Sequence, residues 1–112
     1  MQWKDQQVLF EQFVNGMRDL QQTKGREYAS DTDSLANFKA GERIGISPLQ
    51  KSLVFAEKHW FSVQSYARLG KELSNETIEG RLLDLANYVF LMYAIVQETK
   101  AQQSQSKEIV NL

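Results

Sequence analysis

Residues 82–96 read LLDLANYVFLMYAIV, and this stretch decides the fold. It is the most apolar run in the chain, yet Asp84 and Asn87 occupy its first two turns. The run has 15 residues and contains an acid, whereas a membrane-spanning helix needs about 20 predominantly apolar residues. We therefore expect a core helix of a globular domain and no interaction with a membrane.

Apolar residues recur at steps of three and four in three segments, which is the spacing of amphipathic helices. The first segment has an expected end at Gly25 and carries Phe10, Phe13, Met17 and Leu20. The second begins with a capping box of Ser47 and Gln50 and ends at Gly70. Its apolar stripe is Leu49, Leu53, Ala56, Trp60, Val63 and Ala67. The third begins near Asn75, and its stripe is Ile78, Leu82, Leu85, Val89, Met92 and Val96.

The second and third segments share one rhythm and a short connection, which predicts an antiparallel helix pair with the two stripes face to face. A short helix with Leu35 and Phe38, capped by Asp33 or Ser34, is expected before them. The predicted fold class is all-α: an antiparallel bundle of three long helices and one short helix. Residues 1–102 form this single domain, and residues 103–112 form a polar C-terminal tail. Because the third helix is apolar nearly all round, we predict that a homo-oligomer completes the bundle.

Composition excludes several classes of function. The formal net charge is -1, so the chain lacks the basic surface of a protein whose main partner is nucleic acid. The chain has no cysteine and one histidine, which argues against disulfides, a cysteine nucleophile and a transition-metal site. No glycine-rich phosphate loop, serine–histidine–acid pattern or HExxH motif is present. The N-terminal MQWKDQQ has no apolar signal region, so we expect no secretory signal, and the lack of cysteine is compatible with a cytoplasmic protein.

Candidate ligand-binding residues occur in three places. A polar segment interpreted as a loop before the second long helix carries Lys24, Arg26, Tyr28, Asn37 and Lys39. The second long helix carries Lys58 and His59, and the third carries Asp84, Asn87 and Tyr88. Cations suit phosphates and aromatic rings stack on bases, so this mixture favours a nucleotide-like ligand. The alternative is that the cations belong to solvated surface and that Asp84 forms a structural ion pair inside the bundle.

The order of three pieces adds a resemblance. The pieces KGREYASDTDSLANFK, EKHW and IEGRLLDLANYVFLMYA together resemble small phage and prophage helical proteins of uncharacterised function, over roughly residues 17–97. That group is similar in turn to the MazG-like all-α nucleotide pyrophosphatases, which are helical dimers or tetramers that use magnesium to cleave nucleoside triphosphates. The resemblance implies a MazG-like fold, a nucleotide ligand and the cytoplasm of an infected bacterial host.

The same resemblance bears on turnover. MazG-like enzymes carry an EExxE set on one helix and an ExxD pair on the next, because magnesium prefers several oxygen ligands. Here the first of these helices offers only Glu57, and the second offers Glu79 and Asp84. We therefore expect capture of a nucleotide or nucleotide-derived signal, with a cyclic immune signal as one candidate, without turnover and without a cofactor. Two alternatives remain: a divergent magnesium-dependent pyrophosphatase using these three acids, and a structural or protein-interaction module.

Overall fold

The amphipathic segments form helices. A computed structural model describes the backbone of residues 1–28 and 33–110 and the side chains of residues 1–23 and 33–106. Within these ranges the fold is all-α, as predicted. The elements in chain order are α1 (Trp3–Tyr28), α2 (Ala36–Lys39), a 3₁₀ turn (Glu42–Ile44), α3 (Pro48–Leu69) and α4 (Ile78–Val110).

The two ends of α3 are those that its sequence predicts. The backbone N–H of Gln50 donates to Ser47 Oγ (3.1 Å), and the backbone N–H of Ser47 donates to Gln50 Oε1 (2.9 Å). This reciprocal pair is a capping box, and it satisfies amides that have no partner inside the helix. At the other end Gly70 adopts the left-handed conformation with φ 69° and donates to the carbonyl of Tyr66. Both helix ends are therefore specified by local sequence.

Two predicted helix boundaries are wrong. The chain does not leave the helix at Gly25, because α1 continues to Tyr28. A glycine inside a helix costs about 1 kcal/mol relative to alanine but keeps its hydrogen-bond donor, so it does not end a helix by itself. The cap of α4 is Thr77 instead of Asn75, since Thr77 Oγ1 accepts from the backbone N–H of Gly80 at 3.0 Å.

α3 and α4 form the predicted antiparallel pair. Phe55 of α3 lies against Tyr88 of α4, with ring centroids 6.3 Å apart. His59 is one turn later on α3, and it lies 3.8 Å from Asp84, which is one turn earlier on α4. Positions along the two helices therefore run in opposite directions. The pair is joined by residues 70–77, a connection short enough to make neighbours of consecutive helices.

α1 packs against α4 and runs in the same direction as α4. Gly16 lies against Leu83, and a Cβ at Gly16 would stand only 3.2 Å from Leu83 Cδ1. Five residues later, Gln21 Nε2 donates to Asn87 Oδ1 at 2.8 Å. The absence of a side chain at position 16 thus allows close approach of the two helices.

The buried core is small. Within the described residues, the buried hydrophobic side chains are Leu35, Phe38, Ala56 and Ile95. Leu35 directly precedes α2 and Phe38 belongs to it. Both pack with Ile95 of α4 and with the partly buried Phe55. The short helix therefore closes one end of the α3–α4 pair.

The predicted stripe-to-stripe packing of α3 and α4 is correct only at the edge of each stripe, where Ala56 is buried and Leu85 is partly buried. Leu49, Leu53 and Trp60 of the α3 stripe are exposed, as are Leu82 and Val89 of the α4 stripe. Other side chains, centred on Phe55 and Tyr88, make the contact between the helices. A helical period identifies residues that share a side of a helix, but it does not identify which side packs within the chain.

The polar C-terminal segment extends α4. The helix continues to Val110, and the side chains of residues 101–106 are exposed. No helix in the described part of the chain combines the length and the apolar character that crossing a bilayer requires.

Candidate functional site

A cavity opens between α2, α3 and α4 on one side of the helix pair. Its volume is about 490 Å³, which is within the usual range of small-molecule sites. The cavity contains six of the ten predicted ligand residues: Asn37, Lys58, His59, Asp84, Asn87 and Tyr88. Five further residues complete its lining: Phe38, Val54, Phe55, Glu76 and Leu91.

Helix geometry explains why residues from distant parts of the sequence meet here. Asp84, Asn87, Tyr88 and Leu91 recur at steps of three and four, so they share one side of α4. Lys58 and His59 lie one turn beyond Phe55 on the facing side of α3. The antiparallel pairing brings these two sides together, and α2 closes the end.

Four rings form a continuous aromatic wall. Phe38 and Phe55 have ring centroids 6.0 Å apart, and Phe55 and Tyr88 are 6.3 Å apart, both in tilted arrangements. His59 stacks on Tyr88 at 5.4 Å with an interplanar angle of 29°. These are favourable spacings for aromatic pairs. The wall gives the cavity an apolar, flat-sided surface beside its polar groups.

His59 is placed among charged groups. Its Nδ1 lies 3.8 Å from Asp84 Oδ2 and 3.4 Å from an Arg81 guanidinium nitrogen. Arg81 in turn contacts Glu76 through a 3.0 Å ion pair. Burial lowers the pKa of His59 below its ordinary 6.5; Asp84 opposes this shift, and the positive charges of Arg81 and Lys58 add to it. The imidazole is therefore neutral at pH 7, and Arg81 favours the tautomer in which Nδ1 accepts a hydrogen bond.

Asn87 is held by a residue of α1. Because its carbonyl oxygen accepts the Gln21 amide, the amide orientation of Asn87 is fixed, and its NH₂ group remains a donor. Asn37 and Asn87 thus bring amide groups to the cavity from α2 and α4.

Lys39 does not line the cavity. Its ammonium contacts Asp33 at 2.6 Å and Glu98 at 2.5 Å, and so joins α2 to α4. The hydrogen bonds that Lys39 donates to Asp33 and then to Glu98 raise the pKa of Lys39, and the bond it donates to Asp33 is the main cause that lowers the pKa of Asp33. The predicted ligand cation is thus used as a structural contact.

The remaining three predicted residues are not loop residues. The backbone of Lys24, Arg26 and Tyr28 belongs to the last part of α1. Their side chains lie outside the described residues, so their role in ligand binding stays a prediction.

Sequence reasoning missed several contributors to the cavity. Phe55 shares a side of α3 with His59, so the helical period was a sufficient signal for it. Phe38 was predicted only as a residue of the short helix, although it also lines the cavity. Glu76 and Gln21 come from segments whose place depends on tertiary packing, and no local pattern identifies them.

The acids of the pyrophosphatase alternative do not meet in this cavity. Asp84 lines it, whereas Glu57 and Glu79 are exposed and are absent from its lining. Among the residues with described side chains, no group of three or more histidine, aspartate or glutamate residues is placed to hold a metal ion.

Comparison with protein-family models, with curated proteins and with solved structures finds no match to this chain. The resemblance to phage helical proteins and to MazG-like enzymes therefore stays a prediction. The function has to be inferred from the cavity.

Proposed function

We propose that the protein captures a nucleotide or nucleotide-derived ligand without turnover. The observation that supports this proposal is the convergence of six predicted ligand residues from three helices on one cavity of about 490 Å³. A pocket with an aromatic wall and a few polar groups is the usual form of a small-molecule site.

Each part of a nucleotide has a chemically suitable partner in the cavity. The wall that includes Tyr88 and Phe55 suits stacking of a base. The amides of Asn37 and Asn87 match the donors and acceptors on a base edge. Lys58, which is exposed and lines the cavity, is a positive charge that suits a phosphate.

The arrangement of acids favours capture over hydrolysis. A magnesium-dependent reaction on phosphates uses carboxylates that converge on the metal together with the phosphate oxygens. Of the three acids in the pyrophosphatase alternative, Asp84 alone lines the cavity, and its Oδ2 lies 3.8 Å from His59 Nδ1. In this proposal Asp84 orients neighbouring donors and accepts hydrogen bonds from the ligand.

The wider setting belongs to the same proposal. We infer a homo-oligomer that acts in the cytoplasm of an infected bacterial host and sequesters a nucleotide signal, with a MazG-like scaffold as its origin. This part rests on the sequence resemblance and on the exposed apolar surface of the described helices.

A ligand panel tests the proposal. The purified protein is incubated with mononucleotides, dinucleotides and cyclic nucleotides, each with and without magnesium. Binding is measured by calorimetry, and the ligand is then recovered after denaturation of the protein. We expect at least one member to bind and to be recovered intact. Pyrophosphate release that disappears in Asp84→Asn would contradict capture, and an absence of binding across the panel would favour the structural alternative.

A matched pair of lysine variants tests the site. Lys58→Gln removes the positive charge from the cavity, whereas Lys100→Gln removes one from an exposed position of α4 outside it. A hydrogen bond to a charged group contributes about 1.5–3 kcal/mol, so Lys58→Gln is expected to weaken binding roughly 10- to 100-fold. Equal affinities of the two variants would show that Lys58 does not contact the ligand.

A further inference from the structure

The two apolar stripes lie away from the contact between α3 and α4. The contact is made by residues such as Phe55 and His59 on α3 and by Tyr88 on α4. At 100° per residue, each stripe is centred roughly 100° around its helix from these contact residues, toward increasing angle. The centres of contact and stripe therefore differ on both helices, and the two surfaces meet at an edge where Ala56 is buried.

Both stripes reach the same side of the helix pair. Viewed from the N-terminus of α3, successive residues of this right-handed helix turn clockwise around its axis. Because α4 runs the other way, its successive residues turn anticlockwise from the same viewpoint. The displacement of each stripe from its contact residues therefore points to the same side of the helix pair. The cavity residues Val54 and Lys58 on α3, and Asn87 and Leu91 on α4, are displaced in the opposite sense. The stripes and the cavity thus occupy opposite sides of the pair.

The two stripes together form one surface, called here the apolar face. Its α3 half is Leu49, Leu53, Ala56, Trp60, Val63 and Ala67, and its α4 half is Ile78, Leu82, Leu85, Val89, Met92 and Val96. None of these positions is charged. Leu53 and Val89 are 54% and 58% exposed, whereas Ala56, on the edge nearer the helix contact, is buried. A continuous apolar surface of this kind marks an interaction site.

The accessible surface area of the chain is larger than that of a compact monomer of the same mass. The chain exposes 8719 Å², whereas a compact monomer of 12.9 kDa exposes roughly 6300 Å². The excess of about 2400 Å² is three times the approximately 800 Å² that each partner buries in a standard protein interface. This excess is shared with the projecting end of α4 and with exposed side chains of α1 such as Trp3 and Phe10. One third of it on the apolar face is enough for a stable dimer.

We propose that a second copy of the chain covers the apolar face, so that two α3–α4 pairs form a four-helix core around a two-fold axis. The proposal rests on the homo-oligomer part of the proposed function and is independent of ligand capture. A two-fold axis places the same surface on both sides of the contact, and two antiparallel stripes with one rhythm are suited to pack on themselves. The two cavities then lie on the outside of the dimer.

A second copy fits this face better than a membrane does. The residues that border the stripes include two acids, Glu57 and Glu79, and one base, Arg68. A helix surface that binds anionic lipid has a basic border, and this one does not. The small core of the single chain gives a further reason. A chain with few fully buried hydrophobic residues gains stability from a permanent partner, and its own copy is always present in equal amount.

Single cysteines test the dimer without disturbing its charge. The natural chain has no cysteine, so Leu53→Cys, Val89→Cys and the control Phe61→Cys each carry one thiol. In the single chain all three positions are more than half exposed, at 54%, 58% and 65%. In the dimer the first two are covered and Phe61 is not, because it lies on the other side of α3. A maleimide should then label the two face variants about tenfold or more slowly than the control, since a covered thiol reacts only during opening.

The particle mass completes the test. Analytical ultracentrifugation should give at least twice the 12.9 kDa of one chain for the natural protein. Leu53→Glu should shift the mass toward one chain, whereas Phe61→Glu should not. Equal labelling of the three cysteine variants, or a mass of one chain for the natural protein at all concentrations, would overturn the proposal. If Leu53→Glu fails to fold, the labelling rates still decide. Ligand titration of a folded Leu53→Glu monomer separates failure of self-association from failure of capture, because Leu53 is absent from the cavity lining.

Discussion

Phe38 connects the stability of the protein with the formation of its cavity. Its side chain is 2% exposed and packs with Leu35 and Ile95, and its ring lies 6.0 Å from that of Phe55. Replacing a buried phenylalanine by alanine removes its transfer free energy and leaves a cavity in the core, at a cost of about 3–5 kcal/mol. A domain has a total stability of about 5–15 kcal/mol, so Phe38→Ala should remove a large share of it.

The measurement is urea unfolding followed by circular dichroism at one fixed protein concentration, because association changes apparent stability. Thermal unfolding at the same protein concentration gives a second measure. At roughly 4 °C per kcal/mol, the thermal midpoint of Phe38→Ala should fall by about 12–20 °C. The control is Phe61→Ala, the same chemical change at a side chain that is 65% exposed. The control should stay within about 0.5 kcal/mol of the natural protein. Equal losses for the two variants would refute the placement of Phe38 in the core.

Three further changes test individual contacts. Because the pKa of His59 lies below 6.5 in the folded protein, folding releases a proton there, and stability should fall as pH drops from 7 through 6.5 toward the folded pKa. His59→Gln should lose less stability over that interval in urea midpoints, and identical slopes would contradict a neutral buried imidazole. Ser47→Ala should cost about 1 kcal/mol through loss of the α3 cap, whereas Ser104→Ala, at an exposed site on α4, should cost nothing measurable. Lys39→Met should lower the thermal midpoint, and the difference should shrink in about 1 M salt because exposed ion pairs are screened; a difference that does not change with salt would mean that packing dominates.

The parts of the fold that could be predicted from the sequence are those set by local chemistry. The capping box at Ser47 and the left-handed Gly70 depend on a few neighbouring residues, and both helix ends of α3 are where these residues place them. Glycine alone was a weaker signal, since Gly25 lies inside α1. The difference is physical: a cap supplies a hydrogen-bond partner, whereas an isolated glycine only reduces helix propensity.

The parts that could not be predicted depend on which surfaces pack together. Lys39 was a candidate ligand cation, yet the chain folds so that Asp33 and Glu98, which are far apart in sequence, both contact it. The stripes of α3 and α4 were identified correctly as shared sides, but the aromatic residues Phe55 and Tyr88 make the contact instead. Periodicity carries no information on this choice, because both surfaces of the helix are compatible with the same repeat.

The division of α4 into two sides explains how an acid fits in its most apolar run. Asp84 and Asn87 lie on the side that lines the cavity, whereas Leu85 and Val89 belong to the apolar face. A carboxylate on the apolar face would be buried by a second copy at a large desolvation cost. On the cavity side, Asp84 has His59 and an aqueous opening beside it. Under the two proposals above, the apolar character of this helix serves both an aromatic-lined ligand cavity and a surface for self-association, and Asp84 and Asn87 lie on the cavity side.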